Sequence, residues 1–278
     1  MIEEKIKYLK QMAIQIRKDC IETQREVGSG HLGGSFSAME SMIYLYFHKM
    51  NIDIKSPKKE DRDYFILSKG HASLGYYCVL ARVGFFPVEE LSTYRKINSR
   101  LQGHSHMDSA PGIECSTGSL GQGLSFGIGI ALGLKKKGLN GKVYVMLGDG
   151  ELEEGQVWEA LMLLGHLKLD NVIPIIDYNK LQLDDSVENV CSLNNISERI
   201  RPFGFTVLDI NGHDFEEIDD AFERIKEREA TAIVLHTVKG KGVSFMENSV
   251  PWHSKKVNDE EYIIAMEELK LQEVLING

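Results

Sequence analysis

Two stretches thirty residues apart constrain this chain more than anything else in it. Val143-Tyr-Val-Met-Leu-Gly148-Asp149-Gly150 is an unbroken apolar run into a tight Gly-Asp-Gly turn, followed by Glu-Leu-Glu-Glu154-Gly at a helix start. Ile175-Ile-Asp-Tyr178-Asn179-Lys-Leu181 is a second apolar run that ends in an Asp and an Asn. Continuous apolar strands, buried on both faces, are the mark of a parallel sheet. Parallel neighbours need a crossover helix, and their carboxyl ends then lie side by side, where α/β folds bind ligands. Asp149 and Asn179 offer hard oxygen donors of the kind that magnesium prefers. The glycines allow close approach of a phosphate, and backbone N–H groups at the helix start can bind it. The residues alone thus predict a magnesium–diphosphate site at a strand–helix junction.

The remaining sequence alternates in the same way. Helical spacing marks 3–25, 37–49, 74–83, 157–169 and 215–228, and an amphipathic helix closes the chain from Asp259 to Leu275. Short strands are predicted at 64–67, 143–148, 172–176, 205–210 and 232–237. Strands alternating with helices predict an α/β fold, a three-layer, doubly wound and mainly parallel sheet, with residues 1–278 as one domain.

Four glycines among residues 28–34 (Gly28, Gly30, Gly33, Gly34) predict a loop that presents His31, because glycine is costly in a helix. Lys69-Gly70-His71 and Gly103-His104 repeat that Gly-His pattern. A lone histidine is usually a packing choice, whereas three such turns point to a common site. The helix that follows Gly118-Ser-Leu120-Gly121-Gln-Gly123 carries Gly127, Gly129 and Gly133, which predicts close contact with a strand, a second subunit or a cofactor.

The net charge of −9 argues against a nucleic-acid or anionic-membrane surface. A chain this acidic that binds a diphosphate must rely on metal, backbone N–H groups and local His or Lys. Cys20, Cys78, Cys115 and Cys191 are scattered without metal spacing and read as reduced thiols. With no apolar signal core at the amino terminus and no apolar run approaching a membrane span, the expected location is the cytoplasm.

Taken together, His31, Lys69-Gly-His71, Gly103-His104, Thr117-Gly118-Ser-Leu120-Gly-Gln-Gly, Gly148-Asp-Gly with Asn179-Lys-Leu181, and Lys239-Gly-Lys-Gly with His253 resemble the amino-terminal, diphosphate-binding domain of transketolase. The motif that opens with Gly-Asp-Gly is similar to the thiamine diphosphate (ThDP) motif. Its closing pair is Tyr178-Asn179, with Tyr where the family has a first Asn. The resemblance implies that Asp149, Asn179 and the Leu181 carbonyl hold magnesium or calcium. It implies that Gly150 N–H, His71 and His253 meet the diphosphate, that Asn179 joins them through the metal, and that Gly118 and Leu120 line the ring end of ThDP. His31, His104 and His253 would face substrate, where imidazoles can polarise a carbonyl and move protons. Glu154 and Glu159 match positions at a dimer contact.

Because the resemblance ends with the chain, it implies an amino-terminal subunit of a split transketolase. The catalytic Glu that activates the aminopyrimidine, and the pyrimidine-binding and carboxy-terminal domains, would belong to a partner chain. An α2β2 heterotetramer acting on sugar phosphates or related sugars is the expected assembly. Alternative readings are a 2-oxo acid dehydrogenase α-like chain, a deoxyxylulose-phosphate synthase-like chain, or a non-catalytic ThDP-binding subunit.

Overall fold

The structure, a computed structural model, describes residues 1–277. Its centre is a five-stranded sheet: β1 (Tyr64–Leu67), β2 (Val143–Gly148), β3 (Val172–Tyr178), β4 (Thr206–Asn211) and β5 (Thr231–His236). The strand order is β1-β2-β3-β5-β4 and every pairing is parallel. The expected parallel α/β sheet is therefore present, and the strand limits agree with expectation to within two residues.

Side-chain alternation along the strands builds the layers. Tyr144 and Met146 of β2, Ile173 and Ile175 of β3, and Ile233 and Leu235 of β5 join one apolar cluster. Their neighbours Val143, Val145, Leu147, Val172, Ile176, Ala232 and Val234 join a second cluster on the opposite face. The first face is covered by α1 (Glu3–Val27), α2 (Leu32–Ser37), α3 (Met39–Tyr44), α4 (Ser73–Val83), and the later α9 (Phe215–Glu223) and α10 (Asp259–Asn277). The second face is covered by α5 (Gln122–Lys137) and α6 (Gly155–Leu167), with the short α8 (Ile196–Ile200) beside them. Between α6 and α8, after β3, lies one more short helix, α7 (Val187–Cys191). Among the described residues no helix is long and apolar enough to cross a membrane.

Several local expectations needed correction. The Gly28–Gly34 segment is not all loop, because α2 begins at Leu32 and contains Gly33 and Gly34. Both glycines sit where a side chain has little room: a Cβ on Gly33 would clash with the Trp252 carbonyl oxygen at 2.7 Å, and one on Gly34 would press on His71 Nε2 at 3.2 Å. Close packing thus outweighs the intrinsic cost of glycine in this single buried turn. The helix expected over 37–49 widens at Leu45 and ends as a π turn. The helix expected to reach 228 stops at Glu223. The closing helix is less amphipathic than its spacing implied: Ala265 and Leu269 are buried, while Ile263, Leu271, Val274 and Leu275 are exposed.

The glycines of α5 divide by face. A Cβ on Gly127 would meet Val145 Cγ2 of β2 at 2.7 Å, so the helix lies directly on the strand there. Gly129 and Gly133 have nothing within 4 Å of such an atom.

Candidate active site

The strand ends fix the centre of the site. Gly148 of β2 is in register with Asp177 of β3, which sets the turn at Asp149 beside the Asn179 turn. Asp149, 3% exposed, accepts hydrogen bonds from Gly150 N–H (2.8 Å) and from Lys180 N–H. Gly150 N–H is therefore turned to the Asp149 carboxylate. Asn179 Oδ1 accepts from Leu181 N–H at 3.2 Å. Burial, and then the charge of Asp177, push the Asp149 carboxyl up to about 7. A carboxylate so placed is stabilised by a cation, which suits a metal bound at this corner. Among the described residues there is no group of three or more His, Cys, Asp or Glu placed to hold a metal. The expected set instead draws on one carboxylate, one amide and one carbonyl.

A cavity of about 340 Å³ opens above these strand ends. All the residues singled out in the sequence for cofactor, metal or substrate line it: Asp149, Gly150, Asn179 and Leu181, the imidazoles His31, His71, His104 and His253, and Gly118 with Leu120. Distant segments are tied together by close backbone contact. A Cβ on Gly70 would stand 2.6 Å from Gly118 N, and Gly118 itself, at φ +127°, would drive a Cβ to within 2.9 Å of the His104 ring. Glu154 and Glu159 do not line the cavity; they lie on or beside α6, outside it.

The imidazoles form a cluster. The His71 and His253 rings stack with centroids 5.0 Å apart, and His31 meets them edge-on at 5.6 and 5.4 Å. The His104 ring lies 6.4 Å from that of His31, at the exposed mouth. Burial, then neighbouring positive charge, lowers all four. His31 falls to about 4 and His253 to about 3, His71 falls well below its usual value, and His104 is lowered. These rings therefore stand neutral near pH 7, each able to donate one hydrogen bond and accept one. His31 Nδ1 is buried with no partner in the protein, which marks a polar atom aimed at a ligand.

Sequence reasoning assigned no role to three buried residues that hold this arrangement. Asp177, fully buried, accepts from Lys69 Nζ, Ser37 Oγ, Thr237 Oγ1 and Asn179 Nδ2. By taking Asn179 Nδ2 it turns the amide oxygen the other way, as a metal ligand requires. Lys69 Nζ also donates to the Gly34 carbonyl at 2.9 Å. Lys239 Nζ donates to the Leu181 and Gln182 carbonyls (3.1 and 2.7 Å) and to His253 Nδ1 (2.9 Å). Burial, and then Lys69, lower the Lys239 ammonium to about 8. The signal for both lysines was their place inside Lys-Gly motifs. Asp177 read only as the polar end of a strand. A further buried carboxylate, Glu151, is engaged by Ser68 Oγ and by the N–H groups of Gly121 and Gly148.

Cation-supplying lysines, neutral imidazoles, a metal-seeking carboxyl and an orphaned ring nitrogen form a donor set that fits a metal-bound diphosphate. Residues 9–272 match the family model described as transketolase, thiamine diphosphate binding domain. The chain is 40% identical over 264 residues to the 6-deoxy-6-sulfo-D-fructose transketolase subunit SqwG of Clostridium sp. (strain MSTE9), covering 94% of this chain and 96% of that one. It is 39% identical over 255 residues to an apulose-4-phosphate transketolase subunit of Actinobacillus succinogenes, covering 91% of this chain and 92% of the other. A crystal structure of Campylobacter jejuni transketolase superposes with a TM-score of 0.88 at 29% identity over 96% of this chain. The chain spans only 45% of that transketolase and 40% of the mouse enzyme, whereas it spans nearly all of the subunit relatives. On its sequence and on its fold, the chain belongs to the transketolase family, as a thiamine diphosphate-binding domain.

Proposed function

We propose that this chain is the diphosphate-binding subunit of a two-chain transketolase, which with its partner moves a two-carbon ketol unit from a ketose to an aldose. The observation that carries the reading is the convergence of metal-type ligands, two lysines and four imidazoles on one cavity. When bound, ThDP supplies the nucleophilic carbon that cleaves and rebuilds the sugar's carbon–carbon bond. Asp149, Asn179 and the Leu181 carbonyl hold a divalent metal, magnesium or calcium. His71, His253 and Lys239 face the diphosphate, and a bound anion raises the depressed imidazoles back toward working pH. His31 and His104 bond the substrate's carbonyl and hydroxyl oxygens. Gly118 and Leu120 give the ring end of the cofactor a surface without bulk.

Among the described residues, the two carboxylates that line the cavity are Asp149 and Glu151. With Glu151 held by three donors and Asp149 assigned to metal, the carboxylate needed at the aminopyrimidine comes from the partner. The two subunit relatives are named for a sulfo-sugar and a sugar phosphate, so the substrate class we assign is a ketose that carries a terminal anionic group.

The test is donor cleavage measured on the chain alone and then titrated with the partner, with ThDP and magnesium saturating. Activity should appear only on mixing. In calorimetry, Asp149→Ala should remove metal-dependent ThDP binding. Full activity of the isolated chain would overturn the two-chain reading, and unchanged ThDP affinity in Asp149→Ala would overturn the metal assignment.

A further inference from the structure

Lys239 hangs from the loop that follows the last strand, and that loop is held from outside the cavity. Arg17 of α1 and Glu40 of α3 form a buried pair, Nη2 to Oε1 at 2.7 Å, and Arg17 also donates to the Phe36 carbonyl at 3.1 Å. Glu40 Oε2 meets His213 Nδ1 at 2.9 Å. The other ring nitrogen, His213 Nε2, accepts the backbone N–H of Val238 at 2.8 Å. An acceptor at Nε2 requires the ring proton on Nδ1, where the Glu40 carboxylate takes it. Burial alone would raise Glu40, but Arg17 and the His213 hydrogen bond outweigh it and hold it at about 2. Glu40 is thus a fixed anion and His213 a fixed tautomer. Arg17 also packs beneath the same loop, since a Cβ on Gly242 would stand 3.1 Å from Arg17 Cδ. None of Arg17, Glu40 and His213 lines the cavity.

We infer that His213 is a positioning residue, oriented by the Arg17–Glu40 pair, which pins the Val238 amide and so fixes the backbone from which Lys239 reaches His253 and the Leu181 carbonyl. This rests on the reading of the cavity as a metal–ThDP site. The pin acts one residue before Lys239 and ties α1, α3 and the turn after β4 to the site. Residues that orient direct ligands from behind commonly matter about 10–100-fold in affinity when removed.

The full-length chain carrying His213→Leu, His213→Gln or His213→Asn separates the possibilities. A glutamine amide reaches the point where Nε2 stands and can still accept from Val238; an asparagine amide reaches only toward Glu40. Two readouts are needed: hydrogen–deuterium exchange of residues 238–241 without ligand, and calorimetric affinity for ThDP with magnesium. His213→Leu should speed exchange in that segment and weaken affinity about tenfold. His213→Gln should restore both and His213→Asn neither. If His213→Leu proves too unstable to purify, the contrast between the Gln and Asn variants still decides. Equal rescue by asparagine, or wild-type exchange and affinity in His213→Leu, overturns the inference. A wild-type chain with no affinity for ThDP counts against the cavity reading alone, and the exchange data then still accept or reject the pin.

Discussion

The Lys69–Asp177 pair offers the sharpest separation of stability from function. Lys69 is 1% exposed and Asp177 is fully buried, and the two are in direct contact. Burial works to raise the Asp177 carboxyl, yet it stays below its usual range because Lys69, then Ser37 and Thr237, stabilise the anion. Removing one partner strands the other charge, which costs about 3–5 kcal/mol. That is a large share of the roughly 5–15 kcal/mol that holds a typical domain folded. Asp177→Asn and Lys69→Met should each lose about that much in urea unfolding followed by circular dichroism. The combined Lys69→Met, Asp177→Asn chain contains neither desolvated ion and should regain most of the loss. Its metal–ThDP affinity should stay low: the Gly34 carbonyl has lost its ammonium donor, and Asn179 Nδ2 has lost its carboxylate acceptor. Single variants that each lose less than about 1 kcal/mol would place the pair in the range of solvated surface bridges and refute the reasoning.

Other expectations are simpler. His71→Ala should weaken ThDP affinity more than His104→Ala, which should lower turnover at nearly normal affinity; equal effects on affinity would contradict that division. His253 has a folded value of about 3 against an ordinary 6.5, so below pH 6.5 the unfolded chain takes up a proton that the folded chain refuses. This cost is absent above pH 6.5 and grows as pH falls toward 3, so His253→Gln should gain on wild type in urea melts between pH 7.5 and pH 5, and a gap independent of pH would refute the burial argument. Gly165→Ala would push a Cβ to 2.0 Å from the Phe203 carbonyl oxygen and should destabilise strongly, whereas Gly129→Ala, with open space, should stabilise the chain by about 1 kcal/mol in the same assay.

The sheet was legible because its strands are short, apolar and bounded by glycine or polar turns, so β1 could be delimited from Tyr64–Leu67 alone. The cavity was legible for the residues carried by motifs, and all of these meet. What the sequence concealed falls into two kinds. Gly33 and Gly34 read as loop because propensity is local, while the Trp252 carbonyl and His71 that demand small residues there lie far along the chain. Asp177 read only as the polar end of a strand, and no motif singled out His213 or Glu40. Their roles depend on partners 140 and 173 positions away, and no local pattern reports such distances. The exposed apolar residues of α10 mislead in the opposite direction, since helical spacing does not say which face will be covered.

A sheet whose every pairing is parallel contains no hairpin, so each ladder must wait for a crossover to return the chain. Asp149, Asn179 and Leu181 all belong to the single β2–α6–β3 unit and its exit turn. Lys239 and His253 lie beyond β5, which inserts next to β3 only after β4 has been made. A nascent chain that has just passed Leu181 therefore holds every expected metal ligand and His71, and it lacks Lys239 and His253, the other two groups assigned to the diphosphate. The order of synthesis thus delays cofactor capture until the last strand has docked. Ribosome-bound chains stalled before β5 should accordingly show no affinity for ThDP.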